Sequence, residues 1–204
     1  LPSTECSASG RVKMVQLSQS DGSALLFGGQ NCTNLQSYTF TFDLVHGWQK
    51  MSSKNQPPRR VSHALSYVSD GTVLLFGGQA LSANKVLLND TWIYNTDHGW
   101  TQHPLTNPPS ARQLPAMTSL SKSKVLMFGG SSTGSSSGVL RDSWIFDNNK
   151  LTWKFLDIQR SVQITARWAH SMTVLNAGRA IMFGGVDVDG KILGDTLIFS
   201  QTQD

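Results

Sequence analysis

Short apolar runs alternate with turn-forming clusters along the whole chain. Val73-Leu74-Leu75-Phe76, for example, is bracketed by Asp70-Gly71 before it and Gly77-Gly78 after it. Apolar and β-branched runs of this length between Asp-Gly turns are hairpin signals, and no segment sustains a 3.6-residue period. The pattern predicts strands in groups of four, labelled A to D. The first group is Val12–Leu17, Ala24–Phe27, Tyr38–Phe42 and Trp48–Met51, with Ser20-Asp21-Gly22 as the A–B turn. The second is Ser62–Val68, Val73–Phe76, Thr91–Tyr94 and Trp100–His103, and the third Pro115–Leu120, Val125–Phe128, Ser143–Phe146 and Trp153–Leu156. The fourth supplies Ala169–Leu175, Ala180–Phe183 and Thr196–Phe199, with no counterpart of the outer strand.

The B strands share an ending, Phe-Gly-Gly, at Phe27, Phe76, Phe128 and Phe183. A period of about 50 residues matches one four-stranded propeller blade. The units run over about 11–58, 59–110, 111–165 and 166–204. An arginine stands 16 residues before each Phe (27 − 11, 76 − 60, 128 − 112, 183 − 167), at Arg11, Arg60, Arg112 and Arg167. An Asp opens strand C at Asp90, Asp142 and Asp195, where the first unit has Tyr38. Aromatics fill strand C at Phe42, Tyr94, Phe146 and Phe199, and a Trp opens strand D at Trp48, Trp100 and Trp153.

Arginine, double glycine, strand-C aromatic and strand-D tryptophan, taken together, resemble kelch repeats over nearly the whole chain. The resemblance implies an all-β, kelch-type β-propeller of about four blades, each of four antiparallel strands. The chain begins just after one outer strand and stops before another, which fits part of a six- or seven-blade ring better than a closed four-blade ring, the alternative being that residues 1–9 supply the missing fourth strand. It also implies a non-catalytic module that binds a protein partner, or an accessory domain that orients the substrate of a larger enzyme.

Composition narrows the function further. Hydrophobic residues at 39% and charged residues at 15% are ordinary for a globular chain. No run approaches the roughly 18 apolar residues of a spanning helix, so membrane insertion is not expected. The net charge of +4 reflects a shortage of Glu, with Glu5 the only one. That suits an acidic protein or peptide partner and lacks the clustered Lys, Arg and stacking aromatics of a nucleic-acid surface. Cys6 and Cys32 are too few for a disulfide framework or a zinc site. His63 and His170 share a repeat position, but Met14 and Pro115 occupy it in the other units. Two histidines do not close a metal site, and Asp187-Val188-Asp189-Gly190 has Lys191 where a calcium loop needs its next oxygen, so it reads as a turn. No catalytic set, metal or cofactor is expected.

The double glycines read as structural, since a phosphate-cradling loop would need a helix N-terminus after them. Trp48, Trp92, Trp100, Trp144 and Trp153 read as core between blades. The repeated Arg–Asp pairs read as staples between strands, with a binding role as the alternative. In an up-and-down blade the B–C and D–A connections share one end, and here they are the long, irregular ones. Long loops on a regular scaffold are where recognition resides. The candidate partner-binding residues are therefore the cations of that end: Arg11, Arg59, Arg60, Lys85, Arg112, Arg141, Arg167 and Lys191.

Overall fold

The computed structural model describes residues 13–18, 20–30, 36–80, 86–158, 163–176 and 178–200. Seventeen strands are present among them: β1 (Lys13–Gln16), β2 (Ala24–Phe27), β3 (Thr39–Asp43), β4 (Gly47–Met51), β5 (Arg60–Val61), β6 (Ala64–Ser69), β7 (Thr72–Phe76), β8 (Gln79–Ala80), β9 (Thr91–Asn95), β10 (Gly99–His103), β11 (Ala116–Ser121), β12 (Lys124–Phe128), β13 (Ser143–Asp147), β14 (Thr152–Leu156), β15 (Ser171–Asn176), β16 (Arg179–Phe183) and β17 (Thr196–Ser200). They form antiparallel meanders β1-β2-β3-β4, β6-β7-β9-β10 and β11-β12-β13-β14, a three-stranded sheet β15-β16-β17 and a two-stranded ladder β5-β8. A 3₁₀ turn spans Ser136–Gly138. No described helix is long and apolar enough to cross a membrane.

The large sheets stack in chain order. Each innermost strand touches the next, β1 with β6, β6 with β11 and β11 with β15. Together these four strands border a cavity of about 1010 Å³, with Gln16, Ser66, Thr118 and Thr173 among its walls. This is the four-blade, propeller-like arrangement that the Phe-Gly-Gly spacing predicts. Apolar side chains fill the gaps between sheets, as face-to-face packing requires. Leu25 and Phe27 meet Val73, Leu75, Tyr94 and Trp100 in the first gap. Leu74, Phe76 and Ile93 meet Met127, Phe146 and Trp153 in the second, and Leu120, Leu126 and Ile145 meet Ala180 in the third.

One of the five repeating tryptophans departs from the expected placement between blades. Trp92, Trp100 and Trp153 are buried. Trp144 is half-buried and packs on the apolar cluster of the second gap and against Phe155, whereas Trp48 is half-buried against Phe42, on a face that no described sheet covers.

Strands β6, β11 and β15 begin one or two residues later than the sequence pattern predicts. The cause is a left-handed residue two positions after each arginine: Ser62 (φ 58°), Leu114 (φ 52°) and Ala169 (φ 55°). Such φ values are costly for residues with a Cβ. They are held by hydrogen bonds between blades, from the Leu114 N–H to the Ser62 carbonyl at 2.7 Å and from the Ala169 N–H to the Leu114 carbonyl at 3.2 Å.

Candidate functional site

The double glycine joins one blade to the next. Gly77 (φ 66°) and Gly78 (φ 96°) are both left-handed, and a Cβ on Gly77 would lie 2.7 Å from the Arg112 carbonyl oxygen. The space is needed because the Gly78 N–H donates to that same carbonyl at 2.9 Å. The Gly29 N–H to the Arg60 carbonyl and the Gly130 N–H to the Arg167 carbonyl repeat the bond.

Each buried arginine then ties together its own blade. Arg60 Nη1 and Nη2 donate to the two carboxylate oxygens of Asp90 at 2.6 Å each, and Nη1 also donates to the Gly77 carbonyl at 2.9 Å. Arg112 repeats this with Asp142 at 2.6 and 2.7 Å and with Gly129, and Arg167 with Asp195 at 2.7 and 2.8 Å and with Gly184. The Nε groups donate to the carbonyls of Pro58, Ser110 and Thr165. A planar, five-donor guanidinium is the side chain suited to this, fastening the ends of strands B and C to the D–A segment. Burial disfavours the charge on Asp142, but hydrogen bonds from Arg112 and the Trp144 N–H, with the Arg112 charge, hold its carboxyl below the usual carboxylate range. Arg167 does the same for Asp195, chiefly through its hydrogen bonds.

The eight sequence candidates therefore divide. Arg60, Arg112 and Arg167 lie in the interior, with about 0% exposure of each, and serve as staples; they offer no surface to a partner. Arg59, Arg141 and Lys191 are exposed on the D–A and B–C connections. Arg11 and Lys85 lie outside the described residues, as do Cys6 and Cys32.

The loops carrying the exposed cations are ordered by their own backbone. In the second unit β5 pairs with β8, placing Arg60 opposite Ala80, and Gln79 bridges to Leu87. The third unit bridges Gln113 to Ser131 and Ser131 to Val139, and the fourth Trp168 to Val186 and Val186 to Ile192. A small ladder of D–A and B–C segments thus caps three of the sheets. Asp187 Oδ1 accepts the N–H groups of Asp189 and Lys191, making the Asp187–Lys191 segment a side-chain-closed turn.

Sequence reasoning missed Trp168. It stands where Val61 and Gln113 stand in the preceding units, half-buried in the ladder, and its indole N–H has no hydrogen-bond partner among the described residues. That break in the repeat was the available signal.

His63 and His170 sit below this end. His63 is wedged between Gly28 and Gly78 with its ring edge-on to Phe27, and His170 lies between Gly129 and Gly185 against Phe128. Their ring nitrogens make no well-formed hydrogen bond among the described residues. Burial, reinforced by the neighbouring Arg60 and Arg167 charges, pushes each imidazole down to about 3. Both are neutral packing groups at physiological pH. No group of three or more His, Cys, Asp or Glu that could hold a metal occurs among the described residues.

Comparison with known proteins agrees with this architecture. The profile of the KLHDC2/KLHL20/DRC7 Kelch-repeats domain matches residues 13–204. Adagio protein 3 of Arabidopsis thaliana is 30% identical over 179 residues, covering 82% of this chain and 28% of that protein. An F-box/kelch-repeat protein of the same plant is 31% identical over 144 residues, covering 65% of this chain and 29% of its own length. A tRNA wybutosine-synthesizing protein 4 of Aspergillus oryzae is 27% identical over 139 residues, covering 68% of this chain and 13% of that protein. The chain thus spans less than a third of each of these relatives.

Proposed function

Because the chain belongs to the kelch-repeat family, we propose that it is a non-catalytic recognition module that binds an acidic protein segment across the end formed by its D–A and B–C connections. The observation that carries this reading is the ladder over the Arg–Asp staples, which supports loops that differ in every unit on a backbone that does not. Ordered loops lose little entropy on binding, so their contacts convert more fully into affinity. Arg59, Arg141 and Lys191 supply the positive charge, and Trp168 supplies an amphipathic aromatic of the kind enriched where binding energy concentrates.

A fluorescein-labelled oligo-glutamate peptide tests the charge component by anisotropy titration. Its affinity is expected to fall as salt is raised from 50 to 300 mM, and to fall further in the Arg59→Ala/Lys191→Ala variant, because exposed ion pairs are screened. Binding unchanged by both salt and the double variant would overturn the reading. The similarity to a wybutosine-synthesizing protein supports a second reading, in which this module orients a substrate for chemistry performed elsewhere in a longer polypeptide.

A further inference from the structure

The first two gaps between sheets are built alike inside. Trp100 lies with its ring centre 5.2 Å from that of Phe27 and 5.3 Å from that of Tyr94, and its Nε1–H donates to Thr39 Oγ1 at 2.8 Å. Trp153 lies 5.1 Å from Phe76 and 5.2 Å from Phe146, and donates to Thr91 Oγ1 at 3.0 Å. The rims of the two gaps, at the end of the D–A and B–C connections, are not alike. In the first, Trp92 is only 7% exposed, Gln102 stands opposite it on β10, and Ser53 stands two residues after β4. In the second, the same three places hold Trp144, Phe155 and Leu105. Trp144 and Leu105 are half-buried on the apolar cluster of that gap, and Phe155 is 49% exposed with its ring centre 5.4 Å from that of Trp144.

The scaffold does not require an aromatic at Phe155. Trp92 and Trp144 are fixed in the same way, each donating its Nε1–H to the Asp two residues before it, at 2.6 and 2.7 Å. Opposite strand C the first two units carry Lys50 and Gln102, exposed polar side chains on strands of the same length. The third unit alone of these places a large apolar side chain there, next to an indole left partly open. Both neighbouring blades are described, so the opening belongs to the rim itself.

We propose that Trp144, Phe155 and Leu105 form a specificity site for one bulky apolar side chain of a partner protein, an inference that rests on the reading that an acidic segment binds this end. The charges beside the site suit such a segment. Arg141 and Lys154 are exposed on either side of the aromatic pair, whereas the Asp142 carboxylate is spent on Arg112 and the Trp144 N–H, and Asp157 lies beyond the end of β14. Arg141 and Trp144 are three residues apart, at most about 11 Å along the backbone. An extended segment advances about 3.3 Å per residue, so a carboxylate two to four positions from the apolar residue meets Arg141 while that residue lies on Phe155. An aromatic ring can add edge-to-face to the Trp144–Phe155 pair. The occupant is therefore an extended acidic segment with a single aromatic or branched aliphatic residue among its carboxylates.

Two labelled peptides test this by anisotropy, an octamer of glutamate and the same octamer with phenylalanine at its fourth position. The phenylalanine peptide should bind the intact chain about ten times more tightly, the worth of burying part of an aromatic ring. Phe155→Gln installs the residue that the second unit carries in the same place, so the chain should still fold and melt within a few degrees of the parent. In that variant the two peptides should bind alike, with the affinity of the all-glutamate peptide for the parent. Arg141→Ala should weaken both peptides. If the all-glutamate peptide binds but phenylalanine adds nothing, or its advantage survives Phe155→Gln, the specificity site is refuted and the acidic-segment reading stands. If neither peptide binds, both fall. A parent that dimerises in sedimentation and a Phe155→Gln variant that does not would assign the patch to a second copy and overturn the proposal.

Discussion

Lowering the pH from 7.5 to 5.0 should destabilise this protein through two side chains that have no part in binding. His63 and His170 titrate at about 3 when folded, against an ordinary 6.5. With the folded value depressed, the unfolded state binds more protons as acid is added. The contribution is complete above pH 6.5 and is lost as pH falls from there towards 3. At pH 5.0 an unfolded imidazole is almost fully protonated and the buried one almost wholly neutral. The gap of 1.5 pH units at about 1.36 kcal/mol per unit comes to about 2 kcal/mol per histidine, or about 4 kcal/mol for both. A folded value one unit higher would change this little, because pH 5.0 would still lie above it. Urea unfolding of the parent and of His63→Leu, His170→Leu and the double variant measures the loss. Each replacement should shrink the difference between pH 7.5 and 5.0 by about 2 kcal/mol, while exposed His46 and His98 cancel in the comparison. A parent and double variant whose pH dependences agree within about 1 kcal/mol would refute the reasoning.

Two further outcomes follow from the staples and the left-handed residues. Asp142→Ala leaves the buried Arg112 guanidinium without its carboxylate and should cost about 3–5 kcal/mol in chemical unfolding. Asp195→Ala should cost less, because the Asp195 side chain is already 45% exposed, and equal losses would contradict that ranking. Ala169→Gly should leave the melting temperature unchanged or raise it. Relief of a left-handed Ala offsets the roughly 0.5–1 kcal/mol that glycine ordinarily costs, so a clear drop would count against strain there.

The scaffold was legible because it repeats. The four Phe-Gly-Gly endings locate the ends of β2, β7, β12 and β16, and the arginines 16 residues upstream find Asp90, Asp142 and Asp195 in the folded chain. What spacing does not carry is the direction of a side chain. Arg60 and Arg59 are adjacent cations at the same end of one blade; one is sealed inside and the other meets water, a difference set by the Gly77 and Asp90 oxygens facing Arg60. Nor did Ser62, Leu114 or Ala169 announce a left-handed backbone, since no glycine marks the position and hydrogen bonds from neighbouring blades impose it. Trp168 escaped for the opposite reason, because a search for recurrence passes over the residue that breaks it.

The joint between blades also has a direction. One side offers Phe27 or Phe76 and the hydroxyl of Thr39 or Thr91; the other offers Trp100 or Trp153, and the two are not interchangeable. In the language of symmetry the contact is heterologous. Two copies of this array could extend one another through such a joint only head to tail, whereas a two-fold pairing would set like side against like side, phenylalanine against phenylalanine or indole against indole. The joint itself holds no count of blades, so the size of an assembly built from it is decided by what covers its two unlike ends.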